Sequence, residues 1–200
     1  PTDAVAAVLV SRDGVSPDVA EFAARAAQGH VGRARRLATD EAARSRRHSV
    51  LQLPSAVADV GGYLSAAGEL NPAVGAESAE LTSALDEAET ASYKEAFGEG
   101  GTATGLGRGS AGGGGAAARG ALRSAAAALK DLEGRQKSRA TRTQRDALDR
   151  ALTDLAGFYR DVLVMQLGAA VDIAHFDESA AICALAASSS AESTVRRLSA

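Results

Sequence analysis

The chain is expected to fold as an all-α protein, on three observations. Much of its 46% hydrophobic fraction is alanine. Aromatic residues are only 4%, with no Trp and four Pro, a composition that suits closely packed helices better than a sheet of β-branched and aromatic side chains. Apolar residues also recur at spacings of three and four, the period of a helix with one buried face.

Taken in order, Thr2 caps a helix to about Arg12, with Val5, Val8 and Leu9 on one side and Asp13-Gly14 as its stop. Ser16-Pro17 is a cap and first-turn pair for a second helix, with Val19, Phe22, Ala23 and Ala26 as its stripe and Gly29 as its end. A third helix starts near Val31 and a fourth after Asp40. Pro54 is expected to break the pattern. A helix then runs over 56–70, weakened by about 1 kcal/mol for each of Gly61 and Gly62, and Asn71-Pro72 signals a new start. Leu81, Leu85, Ala88, Ser92 and Phe97 trace the next face, up to Gly98.

Residues 98–115 hold ten of the 21 glycines without apolar periodicity. They are expected to form a flexible loop spanning about 20–25 Å. A phosphate-cradling role fails on detail: no Gly-Lys-Ser/Thr ending follows, and no apolar strand precedes. Helical pattern resumes near Arg119 with Leu122, Ala125, Leu129 and Leu132. Leu148, Leu152, Leu155, Tyr159 and Val162 then step by four, three, four and three, flanked by Ala151, Phe158 and Met165, and predict a helix to about Gly168 with that stripe buried. Val171, Ile173, Phe176, Ile182 and Leu185 suggest a last helical pair, and 188–200 a frayed tail.

Several function classes find no support. A formal charge of -3 and a pI near 5.7 give no global attraction to nucleic acid or membrane, and no run approaches the roughly 20 apolar residues of a membrane span. His30, His48 and His175 are scattered, and Asp172, His175 and Asp177 lack metal-site spacing, so no metal or catalytic residue is assigned. Cys183, the one cysteine, reads as a buried small residue, and its isolation points to the cytoplasm. A start at Pro1 rather than Met reads as a piece of a longer protein whose missing part lies N-terminal.

Two basic words remain. In GHVGRARRLA, residues 29–38, Gly29 and Gly32 shape a turn that sets Arg33 beside a helix N-terminus, where an anion is favoured; the plain alternative is a C-cap followed by a solvated face of Arg33, Arg35 and Arg36. The stretch from 135 to 145 carries Arg135, Lys137, Arg139, Arg142 and Arg145 with no acid. A solvated loop between two helices explains it. If helical, Arg135, Arg139 and Arg142 form one stripe for DNA or an acidic partner, though no aromatic is interleaved for base stacking.

The words SPDVAEFAARAAQ and GHVGRARRLA together resemble the lid of AAA+ ATPases of the bacterial clamp-loader type. LTDLAGFYRDVLVMQLG resembles the collar helix of the delta prime subunits of DNA polymerase III, and KDLEGRQKSRATRTQRDALDRAL is similar to those of high-GC Gram-positive bacteria. The resemblance covers about 1–53 and 119–176. It implies a lid module over 1–53 and a collar over 54–187, to which the helical pattern adds a bundle of about five helices, the glycine content a flexible loop at 98–118, and the chain end a tail over 188–200. It implies a sensor 2 position for Arg33, shaped by Gly29 and Gly32 and facing nucleotide phosphates only in a full-length protein. Leu148, Leu152, Leu155, Phe158, Tyr159 and Val162 would hold the gamma/tau and delta subunits of a pentameric machine that loads the sliding clamp onto primed DNA. The nucleotide core of that family lies upstream of the lid, so no enzymatic activity and no cofactor are expected for this stretch, with ATP depending on that core. The competing readings are a nucleic-acid-binding helical module using 135–145, and the gamma/tau subunit, which shares lid and collar.

Overall fold

The computed structural model describes residues 2–56, 60–97 and 114–199. Eight α-helices account for nearly all of them, in the order α1 (Thr2–Asp13), α2 (Pro17–Ala26), α3 (Val31–Thr39), α4 (Glu41–Ala56), α5 (Val60–Phe97), α6 (Gly114–Leu167), α7 (Ser179–Ser188) and α8 (Ala191–Leu198), with one 3-10 turn at Phe176–Glu178. The fold is all-α, with no strand among the described residues. None of the described helices is long and apolar enough to cross a membrane.

The boundaries of the first four helices follow local chemistry. Gly14, at φ +68°, ends α1 in the left-handed region that glycine adopts without a Cβ penalty. Ser16 is extended and Pro17 occupies the first turn of α2, where its missing N–H would have had no partner. Asp40 opens α4, its Oδ1 accepting the Ala43 N–H at 3.0 Å, and Arg44 closes α3 by donating to the Leu37 carbonyl at 2.8 Å. Helices α2 and α3 are amphipathic with alanine on the inner side. Val5, Leu9, Ala20, Ala23, Ala24, Ala34 and Leu37 form one buried cluster, in which short side chains let α1, α2 and α3 approach closely. Burying Leu9 completely contributes about 1.5–3 kcal/mol.

Several sequence expectations are corrected downstream. Helix α4 continues past Pro54, and Pro72 lies inside α5, so neither proline marks a boundary. Each removes one donor from the ladder, and around Pro72 the helix formers Ala73, Ala76 and Glu77 carry the turn onward. Residues 57–59, within the helix expected over 56–70, lie outside the described residues. So do 98–113 of the expected loop, while its last part, 114–118, is the first turn of α6. The 135–145 stretch is no loop either. It lies within α6, where Arg, Lys, Gln and Ala are strong helix formers and every charge but that of Arg139 is exposed. The expected frayed tail forms α8, with Ser190 Oγ accepting the Ser193 N–H and Thr194 buried. Cys183 is exposed rather than buried; the inner position of α7 is taken by Ile182.

The chain divides into two compact units, residues 1–70 with 149–200, and residues 71–148. The boundary expected at 53/54 falls inside α4. The end of the chain belongs with its beginning because Leu51 of α4 shares a buried cluster with Phe158 and Val162 of α6 and Ile182 of α7. The second unit is an antiparallel pair of helices. Ser78 Oγ donates to the Ala140 carbonyl at 2.9 Å and Tyr93 OH to the Ala125 carbonyl at 3.0 Å, which fixes the opposed directions.

Candidate functional site

The most concentrated chemistry of the first unit lies where α3 and α4 meet the last part of α6 and the segment 172–178. It begins at the α2–α3 turn. Gln28 (φ +52°) and Gly29 (φ +82°) both take left-handed backbone, and the Gly29 N–H donates back to the Ala24 carbonyl at 3.0 Å, closing α2 with a Schellman-like bond. His30 then caps α3, its Nδ1 accepting the Arg33 N–H at 3.2 Å. A Cβ on Gly32 would stand 3.4 Å from the His30 ring, so the glycine leaves room for that cap. Gly29, Gly32 and Arg33 are thus brought together as expected from their spacing. The first-turn donor of Arg33 is already used by its own neighbour.

The guanidinium of Arg33 does not point to open solvent. Its Nη2 lies 2.5 Å from Asp154 Oδ1 on α6, with both side chains largely buried. Burial raises the Asp154 carboxyl above its ordinary pKa and outweighs the opposing charges of Arg33, Arg47 and His175. One turn along α4, buried Arg47 forks onto Asp177 at 2.5 and 3.2 Å and lies 5.6 Å from the ring centre of Phe22. His48 Nδ1 and Gln52 Nε2 hold the two oxygens of buried Glu178 at 2.5 and 2.9 Å. Phe22 meets Phe176 edge to face at 6.1 Å, with Arg25 over the second ring. Such charge-assisted and bidentate bonds fix orientation as well as proximity.

A second knot holds the chain after α6. Asp161 is fully buried; its Oδ2 accepts the N–H groups of Ala174 and His175 and approaches His175 Nδ1, all within 2.8–2.9 Å. Arg160 binds its Oδ1 at 2.5 Å. Burial pushes this carboxyl up, but the bonds from the His175 ring and backbone and from Arg160 outweigh it and leave its pKa below the ordinary value. His175 is fully buried, and its Nε2 has no partner. The ring sits in the space left by Gly157, where a Cβ would come within 2.5 Å of His175 Cε1 and 2.7 Å of Gln28 Nε2.

No family model, curated protein or solved structure matches the chain. On α6 the buried stripe is rotated from the one expected. Ala147, Ala151, Asp154, Phe158, Asp161 and Val162 face inward, while Leu148 and Leu152 are exposed and Leu155 and Tyr159 half-buried. Two aspartates inside the apolar stripe concealed this register, because periodicity is counted on apolar residues. Of the basic residues, Arg139 bonds to Asp86, and to Glu89 at 2.6 Å, whereas Arg135, Lys137, Arg142 and Arg145 are exposed. Among the described residues no group of His, Cys, Asp and Glu is placed to hold a metal ion.

Arg33 and Asp154 can be tested directly. Arg33→Ala is expected to cost about 2–4 kcal/mol at pH 7, because it leaves a buried carboxylate without its nearest counter-charge. The sign of the pH dependence follows from the raised Asp154 pKa. A carboxyl that binds its proton more tightly when folded favours the fold below its unfolded pKa, and that benefit disappears as pH rises through the folded value. Loss of Arg33 raises the folded value further, so the penalty shrinks on acidification. Urea midpoints of both chains at pH 7 and about pH 5 check this; a penalty equal at both would show that the pair is electrostatically idle.

Proposed function

We propose that this chain serves subunit assembly, as the lid and collar portion of a clamp-loader subunit of the delta prime type that helps to load a sliding clamp onto primed DNA. The observation that carries the reading is the second apolar stripe on α6. Phe158 and Val162 are consumed by the chain's own core. Leu152, 52% exposed, and half-buried Leu155 form a neighbouring line about a quarter turn away, and exposed Leu148 stands one turn earlier; Tyr159, next along, is covered by Arg197, 5.8 Å from its ring centre. A helix with one apolar face buried and a second left open suits docking to another subunit.

The ionic ties support a comparatively rigid role within such an assembly. Arg33–Asp154, Arg47–Asp177 and His48–Glu178 join the lid helices α3 and α4 to α6 and the segment after it. Motion of the lid would carry the end of α6 with it. In this reading Arg33 stiffens that joint, and it reaches a nucleotide only by giving up Asp154. The nucleic-acid reading keeps four exposed cations but loses Arg139, the middle of its stripe, to Asp86 and Glu89.

Because Phe158 is fully buried, charging it would test folding rather than docking. Leu152→Asp is the cleaner test. We expect it to leave helicity unchanged by circular dichroism, and to abolish co-purification with the delta and gamma/tau subunits of a high-GC Gram-positive clamp loader. Wild-type recovery of those subunits by the variant would overturn the proposal.

A further inference from the structure

The hairpin of the second unit is divided by charge. Residues 71–97 of α5 carry six acids against the single cation Lys94, while residues 123–148 of α6 carry seven cations against three acids. Some of this is used between the arms. Arg139 bridges Asp86 and Glu89, and its hydrogen bond, followed by the charges of Arg139 and Arg135, outweighs burial and holds the Glu89 carboxyl below its ordinary pKa.

Apolar burial within the hairpin is slight. Val74, Ser78 and Thr82 on one arm and Ala125, Leu132 and Ala147 on the other are its buried residues among those described. Leu81 and Leu85, one turn apart on α5, are 46% and 51% exposed. Going round each helix at about 100° per residue from the seam, Leu81 and Leu85 on α5 and Arg135 and Arg142 on α6 are displaced in the same sense. In an antiparallel pair that places them on one broad side. An isolated pair of helices with so polar a seam leaves this side short of a partner.

We propose that a second copy of the chain covers this side, closing a four-helix bundle in which α5 of each copy packs antiparallel against α6 of the other. A two-fold axis parallel to the helices generates this arrangement. Acidic and basic helices then alternate round the bundle, so every neighbouring pair is both antiparallel and attractive. The Ser78–Ala140 and Tyr93–Ala125 bonds set Leu81 and Leu85 near the height of Arg135, whose aliphatic stem in the opposite copy they would cover. Two arms of 27 and 26 residues, about 40 Å long and together about 20 Å wide, offer close to 800 Å² per partner, the size of a standard stable interface. This inference does not rest on the clamp-loader reading, whose docking stripe is centred on Leu152 and Leu155.

Sedimentation equilibrium of the full chain tests it, with an expected mass twice 20.2 kDa. Leu81→Asp with Leu85→Asp should give a monomer of unchanged helicity. Arg135→Glu with Arg142→Glu should weaken self-association about tenfold or more, whereas Arg135→Lys with Arg142→Lys, which keeps the charge and the long stem, should leave it nearly unchanged. A chain still monomeric at about 100 µM overturns the proposal, as does a dimer indifferent to the leucine pair or to reversal of the arginine pair. A monomer whose Arg135 and Arg142 are needed to bind duplex DNA would also overturn it, reassigning the face to nucleic acid.

Discussion

Replacing Asp161 with alanine is expected to destabilise the folded chain by about 3–5 kcal/mol and to lower its melting temperature by about 10 °C or more. The carboxylate is fully buried and serves two backbone N–H groups, the His175 ring and Arg160. Its removal strands several buried donors at once. A single ordinary hydrogen bond contributes only about 1 kcal/mol net, whereas each buried group left unmade costs about 1–3 kcal/mol, so the larger figure follows from the count of donors. Asp161→Asn keeps the volume and one acceptor and should cost less than the alanine change. The pH profile separates charge from packing. A carboxyl whose folded pKa is depressed contributes stability above its unfolded value, near 4, and loses it as pH falls through the folded value. Wild type should therefore weaken on acidification below about pH 4, with a shallower decline in Asp161→Ala. Thermal melts at 222 nm between neutral and acid pH would show this; parallel profiles would mean that Asp161 acts through shape alone.

The early helices were legible because their signals are local. Ser16-Pro17, Gly14 and Gly29 determine backbone shape within a few residues, and the structure places helix ends beside all three. Pro54 and Pro72 misled for the same reason. A proline penalty of about 3 kcal/mol is real, yet the surrounding turns and packing decide whether the helix survives it. Register on α6 was harder. Leu148 and Leu152 look like core because leucine is apolar, while Asp154 and Asp161 look like surface, and the structure reverses both pairs. What makes the reversal affordable lies far along the chain: Arg33 for Asp154, His175 and the 174–175 backbone for Asp161. Periodicity does not encode partners separated by up to 121 positions. Arg33, Gly29 and Gly32 could be grouped from the word they form, but the carboxylate that completes the group could not. The one trace in the sequence is the seven-residue spacing of Asp154 and Asp161, which sets them on the same face as Phe158.

Gly157 bears on the same joint, and substitution there should run against the ordinary helix rule. Inside a helix, alanine is favoured over glycine by about 0.5–1 kcal/mol. That gain would be realised at Gly134, also in α6, where an added Cβ meets nothing within 4 Å. At Gly157 the added carbon would stand 2.5 Å from His175 Cε1 and 2.7 Å from Gln28 Nε2. The Gln28 amide is the far end of a flexible side chain and can yield. The imidazole cannot, because Asp161 holds both its ring and its backbone N–H. Overpacking a closed site costs about 1–3 kcal/mol, more than the propensity gain, so Gly157→Ala should lower stability by up to about 2 kcal/mol and the branched Gly157→Val by about 3 kcal/mol or more. Adding His175→Ala should recover part of the loss in the Gly157→Ala chain, since the clash is with that ring. A double-mutant cycle in urea reads the coupling; additive effects would show that the glycine is there for the helix backbone and not for the histidine.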